Sequence, residues 1–217
     1  MEVLIVTGGI GSGKSTVCTM LEEDYGFPVY EADRRVKELY EEHPALLSDI
    51  ERALGESFRD ESGVFQPAGL AARIFTDKAD LQKVESIVFP VLTDDFHRWK
   101  EANADKERLV LESATILEKP SLLGLGDVVM VVDAPLQMRI DRAMRRDGVS
   151  QESIRGRVAN QKLMNGISEG NVPDTVDFIL RNDGDIETLA STLKDYVNIL
   201  RGNMIVNFKI NKSNDED

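Results

Sequence analysis

The string Gly8-Gly9-Ile10-Gly11-Ser12-Gly13-Lys14-Ser15 lies between a short apolar run, Val3-Leu4-Ile5-Val6, and a stretch in which Val17, Met20 and Leu21 recur at helical spacing. It satisfies the pattern G-x-x-x-x-G-K-[ST] in the context that the pattern requires, after a strand and at the start of a helix. A continuous apolar run of this length, rich in β-branched residues, reads as a strand covered on both faces, and Tyr25-Gly26 supplies a stop for the helix. Such a loop turns successive backbone N–H groups inward toward phosphate oxygens, and the helix behind it adds the positive end of its dipole. Gly8, Gly11, Ser12, Gly13, Lys14, Ser15 and Thr16 are therefore the candidate nucleotide-binding residues. Lys14 is expected to reach the β- and γ-phosphates, the Ser15 hydroxyl to ligate Mg²⁺, and Thr16 to donate near the α-phosphate.

Further strands are predicted over 28–30, 109–111, 128–132 and 176–180, separated by helical or polar sequence. Strands alternating with helices imply an α/β fold, a three-layer P-loop core in which a parallel sheet is covered by helices on both faces. Residues 1–33, 105–135 and 166–200 are assigned to this nucleotide-binding core. Residues 34–104 read as a helical insertion broken by the turn-like Asp60-Glu61-Ser62-Gly63, and 201–217 as a C-terminal extension. In that extension Val206, Phe208 and Ile210 alternate with polar residues like an edge strand, and the acidic last four residues read as a disordered tail.

The chain has 217 residues and a net charge of −13, so its field repels a polyphosphate backbone and disfavours nucleic-acid binding. No apolar run approaches the roughly 18 residues of a membrane span. Cys18, the single cysteine, excludes an intrachain disulfide and fits a reducing compartment, and the chain is read as cytoplasmic. His43 and His97, far apart and without a cysteine partner, do not make a zinc site. Nothing in the sequence sets an oligomeric state.

A loop that holds a nucleoside triphosphate leaves the acceptor undefined. Asp33 follows the second predicted strand, at the carboxyl edge where ligands bind in open α/β sheets. It is a candidate base for an attacking hydroxyl or a group that helps hold the metal through water, with a competing or coexisting role as the N-cap of the next helix. Residues 136–165 concentrate Arg139, Arg142, Arg145, Arg146, Arg155 and Arg157 in an otherwise acidic chain, and Ser150 is placed to cap a helix running through Ile154 and Val158. Arginines on a closing segment stabilise charge on a migrating phosphoryl group. The plainer account is a solvated face carrying Arg139, Arg142 and Arg146. The cluster as a whole favours a lid.

The opening Val6-Thr7 through Thr16-Val17 resembles the Walker A loop of the dephospho-CoA kinase family. Glu31-Ala32-Asp33 is similar to that family's Asp-Ala-Asp, with Glu for the first Asp; the resemblance implies Asp33 as base. Arg142 through Arg146-Asp147-Gly148 and on to Arg157-Val158-Ala159-Asn160-Gln161 resembles the family's spaced lid arginines and its Arg-x-x-x-Gln, and Asn182-Asp183-Gly184 its Asn-x-Gly turn. The resemblance implies ATP·Mg²⁺ as donor, the 3′-hydroxyl of dephospho-CoA as acceptor, Arg142 at the nucleotide, Arg146 at the transferring group and 34–104 as the acceptor-binding segment. Phe89-Pro90 stands where the family has His-Pro, and Ala114-Thr115-Ile116-Leu117-Glu118 where it has a Pro-Leu-Leu-Phe-Glu-like segment. Both departures fall near the acceptor, which keeps another small-molecule kinase, acting on a nucleoside or nucleoside monophosphate, as the alternative. A GTP-dependent switch is disfavoured, because Asn211-Lys212-Ser213-Asn214 lacks the guanine-reading Asp and no apolar strand precedes Asp60-Glu61-Ser62-Gly63.

Overall fold

The computed structural model describes residues 1–202. Strand β1 (Glu2–Gly8) runs into the glycine loop and helix α1 (Lys14–Tyr25), which ends at Gly26 as the Tyr25-Gly26 pair implies. After β2 (Val29–Glu31) come four helices, α2 (Ala32–Glu42), α3 (Pro44–Leu54), α4 (Pro67–Thr76) and α5 (Lys78–Ala102). Strand β3 (Arg108–Glu112) leads through a 3₁₀ turn at Ile116–Glu118 and the short α6 (Pro120–Leu123) to β4 (Val128–Asp133). Helices α7 (Leu136–Asp147), α8 (Gln151–Ala159) and α9 (Lys162–Ser168) precede β5 (Phe178–Arg181) and α10 (Ile186–Leu200). All five strands predicted from apolar runs form, with ends displaced by one or two residues. The alternation at Val206–Ile210 lies outside the described residues.

The sheet is wholly parallel, with order β2-β3-β1-β4-β5. The chain starts at the central β1, goes out to the edge strand β2, returns to β3 beside β1, and then crosses over β1 to add β4 and β5 on the other side. The switch point, where ligands bind at the carboxyl ends of such sheets, falls at β1 and its glycine loop. Side chains alternate across the strands. Val3 and Ile5 of β1 face a core shared with α2, α3, α5 and α9, whereas Leu4 and Val6 face α1 and α10. A third, smaller cluster joins Ile140, Ala143, Ile154 and Val158 of α7 and α8 to Ile10 in the glycine loop.

The turn at residues 60–63 closes a small hairpin, in which Asp60 Oδ1 accepts from the N–H groups of Ser62 and Val64. Ser150 caps α8, accepting from the Ser153 N–H at 3.3 Å. Asp33 does not cap α2; the helix starts one residue before it, with Glu31 at the cap position. Its carboxylate thereby stays available for other contacts.

Asp95 of α5 ties the helical segment to the sheet. It accepts from Tyr30 Oη at 2.7 Å and from Arg35 at 2.7 and 3.0 Å, so β2, α2 and α5 share one polar joint. The Arg35 guanidinium, helped by the Tyr30 hydroxyl, holds the Asp95 carboxyl down to about 2 against the opposing effect of burial. An unfolded Asp titrates near pH ~3.9. This depressed group therefore stabilises fully above about pH 4 and loses its contribution as pH falls through about 2. Asp95→Asn is expected to cost about 1–3 kcal/mol at neutral pH. Urea unfolding across pH would check it: the gap between wild type and variant should close between pH ~4 and ~2, and a constant gap would exclude the charge as its cause.

Candidate active site

The glycine loop takes its shape from residues packed behind it. Gly13 caps α1 at φ 103°, a conformation that side-chain-bearing residues rarely adopt, and a Cβ there would lie 2.1 Å from Asn182 Nδ2. Gly11 sits at φ 74° with the Arg139 carbonyl oxygen 2.0 Å from where its Cβ would be. Asn182 Nδ2 donates to the Ser12 carbonyl at 2.8 Å, and Asn182 in turn accepts from Arg142 through its backbone carbonyl at 3.1 Å and its side-chain oxygen at 3.4 Å. The loop, the turn after β5 and Arg142 of α7 are thus one hydrogen-bonded unit. The Ser12 hydroxyl is buried and has no partner among the described residues. Ser15 and Thr16 stand exposed in the first turn of α1.

Lys14 opens α1, and its Nζ donates back to the carbonyls of Gly8 at 2.9 Å and Gly9 at 3.4 Å. Withdrawal from water lowers its pKa, and the Glu112 and Asp33 carboxylates oppose that shift. Asp33, in the first turn of α2, accepts from Ser113 Oγ at 3.3 Å and from the Ala114 N–H at 3.2 Å. Lys14 and Asp33 are therefore neighbours across the carboxyl edge, although more than a dozen residues apart in sequence. Arg146 lies near enough for its charge to depress Lys14. Its guanidinium forks onto Asp147 at 2.6 and 3.1 Å, and Arg157 reaches the same carboxylate at 2.7 Å. Those two arginines hold the Asp147 carboxyl well below its usual range.

Sequence reasoning passed over Glu112. It closes β3 in register with Val6 of β1 and Glu31 of β2, and with Ser15 and Glu31 it lines a cleft of about 80 Å³ beside α1. Burial pushes its carboxyl up to about 7; Lys14 works against that shift, and Asp33 and Glu31 add to it. A carboxylate at the end of an apolar central strand was the available signal, by the same argument that singled out Asp33. Asn182 and Gln161 were noted only as parts of short motifs, and their contacts with the loop are long-range. Arg139 departs furthest from a solvated face, being 1% exposed.

A sequence model described as dephospho-CoA kinase matches residues 2–188. The chain belongs to the dephospho-CoA kinase family. A dephospho-CoA kinase from Porphyromonas gingivalis is 36% identical over 176 residues, which cover 81% of this chain and 85% of that one. One from Corynebacterium glutamicum is 30% identical over 198 residues, 88% and 96% of the two chains. Among solved structures, the dephospho-CoA kinase of Campylobacter jejuni superposes with a TM-score of 0.62 at 21% identity, covering 93% of this chain and 98% of that one. A shikimate kinase from Acinetobacter baumannii superposes with a TM-score of 0.52 at 13% identity, covering 95% and 96%. These two share the fold, an α/β P-loop kinase. Family membership makes the chain a phosphotransferase with ATP as donor, and among the described residues no helix is long and apolar enough to cross a membrane.

Proposed function

We propose that the reaction of this family, ATP-dependent phosphorylation of the 3′-hydroxyl of dephospho-CoA to give coenzyme A and ADP, is carried out here by Lys14, Asp33, Glu112, Arg142 and Arg146. One observation supports the assignment above others: the Lys14 ammonium lies within electrostatic reach of Asp33, Glu112 and Arg146, so that residues of four segments, α1, α2, β3 and α7, meet at the carboxyl edge of the switch point. Lys14 is the cation for the β- and γ-phosphates, and the loop N–H groups with the start of α1 take the phosphate oxygens.

Asp33 is the base. Its two weak contacts at 3.2 and 3.3 Å steady the carboxylate while leaving it exposed toward an incoming hydroxyl. Arg142, anchored on Asn182, belongs to the nucleotide side, and Arg146 meets the transferring group. Segment 136–165 is accordingly the lid. Segment 34–104 binds the acceptor, a reading supported by Asp33 lying in the first turn of its first helix.

The donor set fits Mg²⁺. Among the described residues no three His, Cys, Asp or Glu side chains converge into a cage, and this ion commonly takes only one or two protein oxygens beside phosphate and water. Ser15 would hold it directly and Glu112 through water, where it would neutralise charge on the phosphate oxygens. The buried lone thiol, Cys18, supports a reducing, cytoplasmic setting.

A coupled ADP-release assay with ATP and dephospho-CoA, run beside adenosine and nucleoside monophosphates, tests the acceptor. Preference for a nucleoside would move the assignment to the alternative kinase class. Asp33→Asn keeps the shape and loses proton acceptance, so kcat is expected to fall by about 10² or more with Tm little changed. A lower Tm with intact kcat would make Asp33 a structural residue.

A further inference from the structure

Arg139 is the largest side chain fully withdrawn from solvent, and among the described residues it makes no ion pair. The Asp133 carboxylate favours its charge from a distance but is bonded to Ser168 and Arg181, so burial wins and lowers the Arg139 pKa; a guanidinium buried in this way persists only when its donors are used. Two of its donor nitrogens serve the glycine loop, one directly and one through Gln161. Nε donates to the Ile10 carbonyl at 3.1 Å and Nη2 to Gln161 Oε1 at 3.4 Å, while the same Oε1 accepts the Ile10 N–H at 2.8 Å. Arg139, Gln161 and Ile10 therefore close a ring around one residue of the loop, and both backbone polar groups of Ile10 are taken up from the lid side. The guanidinium also fills the space beside Gly9, where a Cβ would lie 2.0 Å from Nη2.

The consequence follows from peptide geometry. In a trans peptide the C=O and the next N–H point in opposite directions. With the Ile10 carbonyl turned out to Arg139, the Gly11 N–H is turned inward, to the side on which the loop meets phosphate. With the Ile10 N–H turned out to Gln161, the Gly9 carbonyl is turned inward, and there it accepts from the Ser12 N–H at 3.1 Å and from Lys14 Nζ at 3.4 Å. Two adjacent peptide planes are thus set from outside the loop. The bonding also decides which end of the Gln161 amide faces Ile10, because two donors converge on one atom, which must be the oxygen.

We propose that Arg139 and Gln161 are positioning residues for the nucleotide loop: they fix the Ile10–Gly11 peptide with its N–H toward the phosphate side and the Gly9–Ile10 peptide with its carbonyl on Ser12 and Lys14, and so couple the loop to the lid helices. The inference rests on the reading of this loop as the ATP site. Neither residue touches substrate; their effect passes through Ile10. Removing either should weaken phosphate binding and leave the acceptor site alone.

Binding of ADP with magnesium, measured by calorimetry, and KM for each substrate test this on the full chain. Arg139→Met fills similar space without donors. It is expected to weaken ADP binding by about tenfold to a hundredfold, the cost of one lost charge-assisted hydrogen bond. KM for ATP should rise in parallel and KM for dephospho-CoA should stay within about twofold. Gln161→Met should give a similar loss, whereas Gln161→Glu keeps the acceptor and should bind ADP nearly as wild type. The double variant Arg139→Met/Gln161→Met should lose no more than the weaker-binding single, because the two act on one loop residue.

Wild-type ADP affinity in folded Arg139→Met, equal rises in both KM values, or additive losses in the double variant would each overturn the proposal. Should Arg139→Met fail to fold, the half-buried Gln161 carries the same test through its Met and Glu variants. A wild-type chain that does not bind ADP would overturn the reading of the loop itself, and this proposal with it.

Discussion

Lys14→Met is expected to lower kcat by about 10³-fold or more, the scale on which loss of a preorganised charge at a phosphoryl-transfer centre acts. The geometry explains why no neighbour substitutes. Lys14 is the first residue of α1 and bends back over the loop to the Gly8 and Gly9 carbonyls, so its ammonium stays over the site. Arg146, whose charge it feels, is engaged with Asp147 and cannot take its position. The variant should remain folded, because the buried strands beside the loop do not depend on the ammonium, and Glu112, which loses its opposing charge, can take up a proton. Circular dichroism beside steady-state kinetics checks both parts. Near-normal turnover in a folded variant would remove Lys14 from the mechanism.

The second large effect concerns the lid. Arg146→Ala is expected to lower kcat by about 10²- to 10⁴-fold and to change KM for ATP far less, as expected of a contact formed with the transition state rather than with bound substrate. Arg146→Lys should rescue poorly, because an ammonium cannot reproduce the planar fork that spans two oxygens. Asp147 sharpens this expectation: it grips both Arg146 and Arg157, so the guanidinium is held in one orientation at the end of α7 before it is needed. Arg155→Ala is the control, an exposed arginine whose bond to Gln137 is 3.5 Å long. Equal, mild losses at both positions would reduce Arg146 to surface charge.

The site was legible where its chemistry is local. The strand, loop and helix that cradle phosphate are contiguous, so spacing alone brought Gly8 through Thr16 together, and the carboxylate after a strand singled out Asp33. Glu112 obeys the same rule yet was passed over, because its meaning depends on β3 lying beside β1, a pairing between residues more than a hundred positions apart. The fate of the arginines on α7 was likewise beyond spacing. Helical periodicity lists Arg139, Arg142 and Arg146 as neighbours, but which of them is buried depends on what packs against each face. The answer is a loop at residue 10, a turn at residue 182 and an acid at residue 147.

The amino-acid sequence by itself determined the five strands, the phosphate loop and the parallel, helix-covered class of fold. Apolar period, glycine spacing and capping residues are properties of short stretches, and burial enforces them in any context that forms a core. The tertiary structure alone decided the strand order β2-β3-β1-β4-β5, and with it which side chains meet at the carboxyl edge. It also decided that Arg139 should turn inward to brace the loop and not outward to water. That outcome reflects a long-range balance, in which the cost of burying a guanidinium is offset by hydrogen bonds to residues 129 and 22 positions away in sequence.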